Sequence, residues 1–354
     1  MFAFTEEHGG DTEVHREINF IIFVAEIVMK KIVAVFFLLS SFAATAQELR
    51  NHFTIPGRIE NNIHFNFWQN PALTGYEERF NVQGGYGMRW LGLYGYNNSS
   101  SPQNWFTAVD VAMGKSKNNS IGFVYNHNRN AFEKRTEFMF SYSATFRIRK
   151  VNQIRIGLST SYNLKFADWK QMTFGDQIDP RAGFIFGTNQ TLGSNRRGFP
   201  DFSAGLWFSR KHLFLGFSAQ HLTQPDEGWF GVSKLPMLLN YNAGYHIRIT
   251  PYVYLTPSLI VMNRRNIYYF QPSLSLSYKN RYLVLLNYRN LNTLMIYGGI
   301  QLKENLRLTF GWGFPTEKEL RAIQSGQSFD VMLRYRFKMR KDPTPEEQMK
   351  ITKP

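Results

Sequence analysis

Apolar and polar residues alternate one for one along much of this chain, and the clearest case runs from Thr136 to Lys165. Phe138, Phe140, Tyr142, Ala144, Phe146 and Ile148 occupy every second position, separated by Glu137, Met139, Ser141, Ser143, Thr145 and Arg147. A period of two is that of a strand with one apolar and one mainly polar face. After a turn near Arg149–Asn152 the pattern restarts, with Ile154, Ile156, Leu158, Thr160, Tyr162 and Leu164 on one side. Gln153, Arg155, Gly157, Ser159, Ser161 and Asn163 lie on the other. Two such runs predict an antiparallel hairpin with strands longer than the usual ~5–6 residues of soluble sheets. A tilted strand needs roughly 9–11 residues to cross a bilayer.

The alternation recurs in fourteen candidate strands, at about 78–90, 104–113, 119–127, 135–148, 153–165, 201–209, 212–222, 237–249, 252–263, 267–278, 281–289, 293–302, 305–314 and 328–339. An even number suits a closed bacterial barrel. Connections after even-numbered strands are short and basic, as at Lys150-Val151, Arg210-Lys211, Thr250-Pro251, Lys279-Asn280 and Lys303-Glu304. The long ones, 91–103, 166–200, 223–236 and 315–327, follow odd-numbered strands. Short periplasmic turns and long outer loops produce that asymmetry. The predicted fold is therefore all-β, a transmembrane antiparallel barrel of the bacterial outer membrane occupying 76–340.

The flanks fit that reading. Met29–Ala46 has Lys30 and Lys31 before an apolar core, Ile32–Leu39, and ends in Ala44-Thr45-Ala46. This is a signal-peptide pattern with cleavage before Gln47. Residues 1–28 fit no export pattern and read as a start placed too early. The alternative, one anchor helix over Ile18–Ala46, would bury both lysines in lipid at roughly 2.5–3.5 kcal/mol each near the centre. The segment 47–75 has no clean period, and Pro71 disfavours a central strand, so it is expected at the periplasmic mouth or in the lumen. Thr316–Glu319 resembles a capping box and predicts a short helix before the last strand. The tail 341–354 carries three prolines, and disorder is expected there.

Composition sharpens the picture. Hydrophobic residues make up 43% of the 354, unremarkable for a soluble protein, but a barrel strand gives only half its positions to lipid. The absence of cysteine excludes disulfides and thiolate metal sites. The net charge of +15 fits anionic lipid or a positive lumen. Lysine and arginine are scattered along strands with no recognition helix, which argues against nucleic acid.

No catalytic signature is present. His52, His64, His127, His212, His221 and His246 show no helical zinc spacing, and neither a nucleophile elbow nor a phosphate-binding loop occurs. No cofactor is expected. Asp176 and Asp179 fit an exposed loop with Asx turns better than a Ca²⁺ site. Arg89, Glu137, Arg147, Arg155, Arg248, Arg289 and Arg334 fall on the non-lipid face of their strands. Their simplest role is to keep charge out of lipid, and the alternative is an anion or substrate path. Trp90, Trp105, Trp169, Trp207, Trp229 and Trp312 mostly fall near strand ends or in loops, and those near strand ends suggest interfacial girdles.

Gln69-Asn70-Pro71-Ala72-Leu73-Thr74-Gly75 is similar to an Asn-Pro-Ala-x-Ala-Gly element found soon after the signal peptide in one family, with Thr74 in place of Ala. Leu255–Ile260, Ile296–Ile300 and Phe329–Phe337 support the match. On these the chain resembles the PorP/SprF outer-membrane proteins of the type IX secretion system of Bacteroidetes. The resemblance implies a non-enzymatic barrel that works with secretion-system components and secreted adhesin cargo in gliding motility or surface anchoring. It further implies a possible periplasmic peptidoglycan-binding lipoprotein as partner, and a setting of membrane lipid and lipopolysaccharide. Within the element, Asn70, Pro71, Ala72 and Gly75 are expected to be structural or partner-binding. Rival readings are an outer-membrane channel for small or hydrophobic solutes with an N-terminal plug, a barrel phospholipase, disfavoured by the lack of a Ser/His pairing, and a secreted soluble all-β binding protein.

Overall fold

The computed structural model describes residues 67–91, 101–114, 116–148, 152–172, 174–179, 181, 183–184, 187–189, 193–229, 231–289, 293–316 and 327–337. All belong to one unit, Ile55–Pro354. The signal peptide, His52, His64, most of the expected 316–326 helix and the tail lie outside them.

The strands are β1 (Phe80–Leu91), β2 (Gln103–Met113), β3 (Asn119–Asn130), β4 (Glu133–Ile148), β5 (Asn152–Ala167), β6 (Ile178–Asp179), β7 (Gly183–Phe184), β8 (Arg196–Arg210), β9 (Leu213–Gln220), β10 (Leu238–Tyr245), β11 (Ile247–Thr250), β12 (Val253–Arg264), β13 (Ile267–Tyr278), β14 (Tyr282–Arg289), β15 (Thr293–Lys303), β16 (Leu306–Pro315) and β17 (Gln327–Phe337). The two-residue β6 and β7 form a separate ribbon. β10 and β11 both pair with β12 and act as one strand interrupted at His246. Fourteen barrel strands remain. Each pairs antiparallel with its neighbours in sequence, and β1 pairs with β17 to close the ring, Phe80 opposite Phe337 and Met88 opposite Phe329. Closure matters in lipid, where an unpaired strand edge has no water to bond.

Alternation becomes two faces. Phe138, Phe140, Tyr142, Ile156, Leu158 and Phe310 are exposed on the outside, while Met139, Ser141, Ser143, Arg155 and Asn163 are buried inside. Phe140 is 62% exposed and its neighbour Ser141 only 5%. An outward band of large apolar side chains is stable only against lipid. The turns 211–212, 251–252, 279–281 and 304–305 lie at one end, with the start of β1 and the end of β17; the connections 168–195 and 221–237 lie at the other.

Several boundaries differ from the sequence pattern, most of all where β5 meets β8. β8 begins at Arg196 rather than near 201, and β5 continues to Ala167, paired through Phe166 and Arg196. Arg196-Arg197-Gly198 offers no apolar face, so only its partner strand makes it a strand.

The core lies in the lumen. Phe67, Ala72 and Leu73 from the segment before β1 cluster with Phe106, Ala108, Val124, Met139, Trp207, Phe214 and Met332 from the wall. A second cluster, Leu285, Met295 and Tyr297, sits on β14 and β15.

Candidate functional site

Residues 67–77 fill part of the barrel interior, and their local structure follows from their sequence. Asn70 caps a single 3-10 turn, Pro71–Leu73, its Oδ1 accepting from the Ala72 N–H at 3.0 Å. Pro71 opens the turn, where a missing N–H costs nothing. The Thr74 hydroxyl donates to the Pro71 carbonyl at 2.8 Å. Gly75 has φ +65°, and a Cβ there would lie 2.3 Å from Ser120 Oγ. Glycine meets both demands.

The wall is shaped to receive this turn. Gly157 of β5 and Gly205 of β8 stand directly opposite each other. A Cβ on Gly157 would meet the Pro71 carbonyl carbon and Ala72 N at 2.2 Å, and one on Gly205 would meet Asn70 Oδ1 at 2.0 Å. Asn70 Nδ2 then reaches into the wall and donates to the carbonyls of Leu206 and Phe217 at 3.1 and 3.2 Å.

An irregular segment buried in a lumen needs side chains to bond its backbone. Arg155, fully buried, donates from Nε to the Ala72 carbonyl at 2.8 Å and from Nη2 to the Thr74 carbonyl at 2.5 Å. Ser143 also donates to the Thr74 carbonyl, at 2.8 Å. Ser218 and Gln220 both donate to the Gln69 carbonyl at 2.7 Å. Asp110 accepts from the Gly75 N–H at 2.9 Å and from Asn81 at 3.2 Å. Glu77 pairs with Arg334 at 2.5 Å and Arg336 at 3.6 Å. Burial pushes the Glu77 carboxyl up, but Arg334, Arg336 and Arg307 outweigh it and hold it below its ordinary value.

The seven charged residues placed on the non-lipid face do not form one site. Arg155 and Arg334 hold the inner segment. Arg89 is buried against Asp330 at 2.5 Å, and Tyr297 donates to the same carboxylate at 2.8 Å. Glu137 accepts from Asn126 at 3.4 Å, near Trp68. Arg147 is exposed at the short-turn rim, 2.6 Å from Glu78. Arg248 is exposed near the end of β11, beside a register shift. Arg289 is half-buried at the opposite end of the wall, on the last residue of β14. Trp207 turns into the lumen instead of joining a girdle, against Tyr76 and Phe214, because Gly216 opposite leaves room for its ring.

At the end of the long connections, the segment after β9 reaches across to other strands. Glu227 lies 3.4 Å from Arg135 and 3.5 Å from Lys165, Lys165 also meets Glu133 at 3.1 Å, and Asp226 pairs with Arg197. Backbone N–H groups of Ser233 and Gly228, with Arg197 beside them, hold Asp226 below its ordinary carboxyl value. Trp229 packs edge-on to Trp169, and Leu235 is buried beneath. Gaps beside the inner segment are small. One between Trp68, Asn126 and Glu137 is about 10 Å³, and one between Leu73, Glu77 and Arg334 about 20 Å³, room for about one water each.

Asp176 is engaged within its loop by Thr188 and Asn189. Among the described residues no group of three His, Asp or Glu is placed to hold a metal. Sequence reasoning missed Gly157, Gly205, Asp110, Ser143, Ser218 and Gln220. Their spacing carries no signal, and only strand register brings them to the Asn-Pro-Ala turn.

No curated protein matches the chain. Similar solved structures include a Pseudomonas aeruginosa FadL homologue, at 12% identity and TM-score 0.43 over 76% of this chain and 93% of that one. Another is the Ralstonia pickettii toluene transporter TbuX, at 9% identity and TM-score 0.48 over 77% and 93%. A third is the Acinetobacter baumannii outer membrane protein Omp33, at 7% and 0.42 over 73% and 98%. The model of the type IX secretion system membrane protein family PorP/SprF matches residues 60–335. A closed barrel with an apolar outer face and an Asn-Pro-Ala turn seated in its lumen therefore belongs to the PorP/SprF family, whose members are membrane proteins of type IX secretion.

Proposed function

We propose that this outer-membrane barrel supports type IX secretion or surface anchoring of adhesin-type cargo by binding partner proteins, without catalysis. The supporting observation is the seating of 67–77, whose carbonyls and Asn70 side chain are bonded to the wall strands. Several polar lumen side chains, among them Asp110, Ser143, Arg155 and Ser218, here bond a fixed internal segment. The end with the long connections would face outward and meet cargo. The short-turn rim, with both ends of the barrel chain, would face the periplasm, where a peptidoglycan-binding lipoprotein is a candidate partner. Cleavage before Gln47 would release the mature chain.

Comparative surface proteomics of a deletion strain tests this reading. The expected result is loss of one or a few surface proteins with general export intact. Loss of all type IX cargo together would instead make the protein a core part of the translocon. An unchanged surface proteome, with altered solute uptake and single-channel conductance of the purified barrel, would establish the channel reading.

A further inference from the structure

The short-turn rim contains a basic and aromatic cradle that the secretion reading does not use. The turn between β13 and β14 carries Lys279, Asn280 and Arg281. The Lys279 ammonium lies 5.5 Å from the ring centre of Tyr252 and 5.3 Å from that of Tyr278. The Arg281 guanidinium lies 5.7 Å from that of Tyr282. Tyr278 and Tyr282 are cross-strand partners, stacked at 6.4 Å and exposed. They continue the outward parity of Leu276 and Val284, so both rings end the lipid-facing rows of their strands. Tyrosine at that level marks the boundary between hydrocarbon and headgroups.

The backbone is held on both sides. Lys279 N–H donates to the Tyr252 carbonyl at 2.7 Å, Arg281 N–H to the Tyr278 carbonyl at 2.9 Å, and Gln301 N–H to the Arg281 carbonyl at 2.8 Å. Arg307 reaches the Asn280 carbonyl at 3.3 Å. Lys279 has φ +49°, a conformation that glycine or asparagine adopts at less cost. No carboxylate lies within 251–253 or 278–282, and Glu304 stands in the adjacent turn.

We propose that Lys279 and Arg281 bind the phosphate of an anionic phospholipid, with Tyr252, Tyr278 and Tyr282 holding their stems at headgroup level. Two cations on either side of Asn280, both held over the rings at this turn, can meet one phosphodiester. The rings lie on the lipid side of the rim, which favours a lipid over an acidic protein approaching along the barrel axis. The inference rests on the short-turn end meeting a phospholipid leaflet. Lipid adducts on purified protein do not depend on orientation in the cell, so this test and that of topology fail separately.

The experiment is native mass spectrometry of the purified protein with phosphatidylglycerol and, in parallel, phosphatidylethanolamine. The Lys279→Gln/Arg281→Gln variant should lose phosphatidylglycerol affinity roughly thirtyfold, two surface cations' worth, and keep its weaker phosphatidylethanolamine adduct. Heat-modifiable gel mobility confirms that the variant barrel is folded. A Lys117→Gln/Lys211→Gln control, on turns elsewhere along the rim, should bind like the parent. Equal phosphatidylglycerol binding by the Lys279→Gln/Arg281→Gln variant and the parent overturns the proposal, as does equal loss in the control. Displacement of the lipid by equimolar glycerol 3-phosphate would make it a free-phosphate site. Binding of polyglutamate with no lipid adduct would make it a site for an acidic protein. Either result also overturns it.

Discussion

The wall made by β4, β5, β8 and β9 and the wall made by β14, β15 and β16 use the same strands for different ends. Both alternate, and both present large apolar residues outward. Their inner faces share one device, since Gly216 of the first wall also shelters a ring, that of Trp207, but the first wall adds a second. On the first wall, Gly157 and Gly205 are kept clear by another piece of backbone, the Asn-Pro-Ala turn. On the second, Gly311 and Gly313 lie opposite Tyr297 and Met295 and are covered by those side chains from the next strand. A small residue in a strand thus means either a docking groove or shelter for a neighbour's ring, and register decides which.

The largest expected effect lies beside the self-filled wall. Arg89→Met leaves Asp330 buried without its cation and should cost about 3–5 kcal/mol, with much of that recovered in Arg89→Met/Asp330→Leu. Denaturant unfolding in detergent reads both. If the double variant is no better than the single, the pair is not what holds that region.

Next is the lipid face, shared by both walls. Phe140→Arg should cost about 2–4 kcal/mol if it sits near the bilayer midplane. Parity alone makes Ser141→Arg milder. The structure removes that mildness, because Ser141 Oγ lies 2.5 Å from Thr74 Oγ1 and the inner segment leaves no room. Heat-modifiability of the two variants should therefore be lowered together, with only Ser141→Arg releasing the inner segment to protease. A protected segment in Ser141→Arg would contradict the docking described here.

That pair shows how far the sequence could be read. Period two revealed the strands, their count and the lipid-facing side of β4. The Asn-Pro-Ala-x-x-Gly string even contains its own cap, first-turn proline and left-handed glycine. What receives it was not legible, because Gly157, Gly205 and Ser218 lie far along the chain and become neighbours only through pairing of β5, β8 and β9. The charged residues were legible as inward but not by role, since Arg155 and Arg89 look alike in a strand and bind a carbonyl pair and a carboxylate respectively.

Substitutions at one inward and one outward glycine separate the docking groove from the lipid face. Gly157→Val meets backbone and should cost about 1–3 kcal/mol or more. Gly298→Val, with no atom within 4 Å of the position of its Cβ, should be close to neutral. Equal melting temperatures would mean that the turn does not rest on Gly157.

The smallest effect is the acid response of the docked segment. Glu77 is held below its usual value. Its contribution is therefore present above the ordinary glutamate range and is lost as pH falls through the lowered folded value. Protease sensitivity of the segment should rise on acidification below the ordinary glutamate value of 4.5, and Glu77→Gln should be sensitive already at neutral pH. A variant indistinguishable from the parent at neutral pH would remove Glu77 from the anchor.

The order of the chain gives the opposed glycines a further consequence, in time. The Asn-Pro-Ala turn is synthesised before every barrel strand, yet the wall groups that bond residues 69–75 lie 35 to 151 residues later. Contacts so distant in sequence form late and slowly. Local hairpins such as β4–β5 can form first, and the waiting segment can dock only once β8 has brought Gly205 opposite Gly157. The β1–β17 seam joins residues from the two ends of the barrel and is the pairing of greatest sequence separation. The opposed glycines thus tie the seating of the first described residues to the pairing of two strands from the middle of the chain.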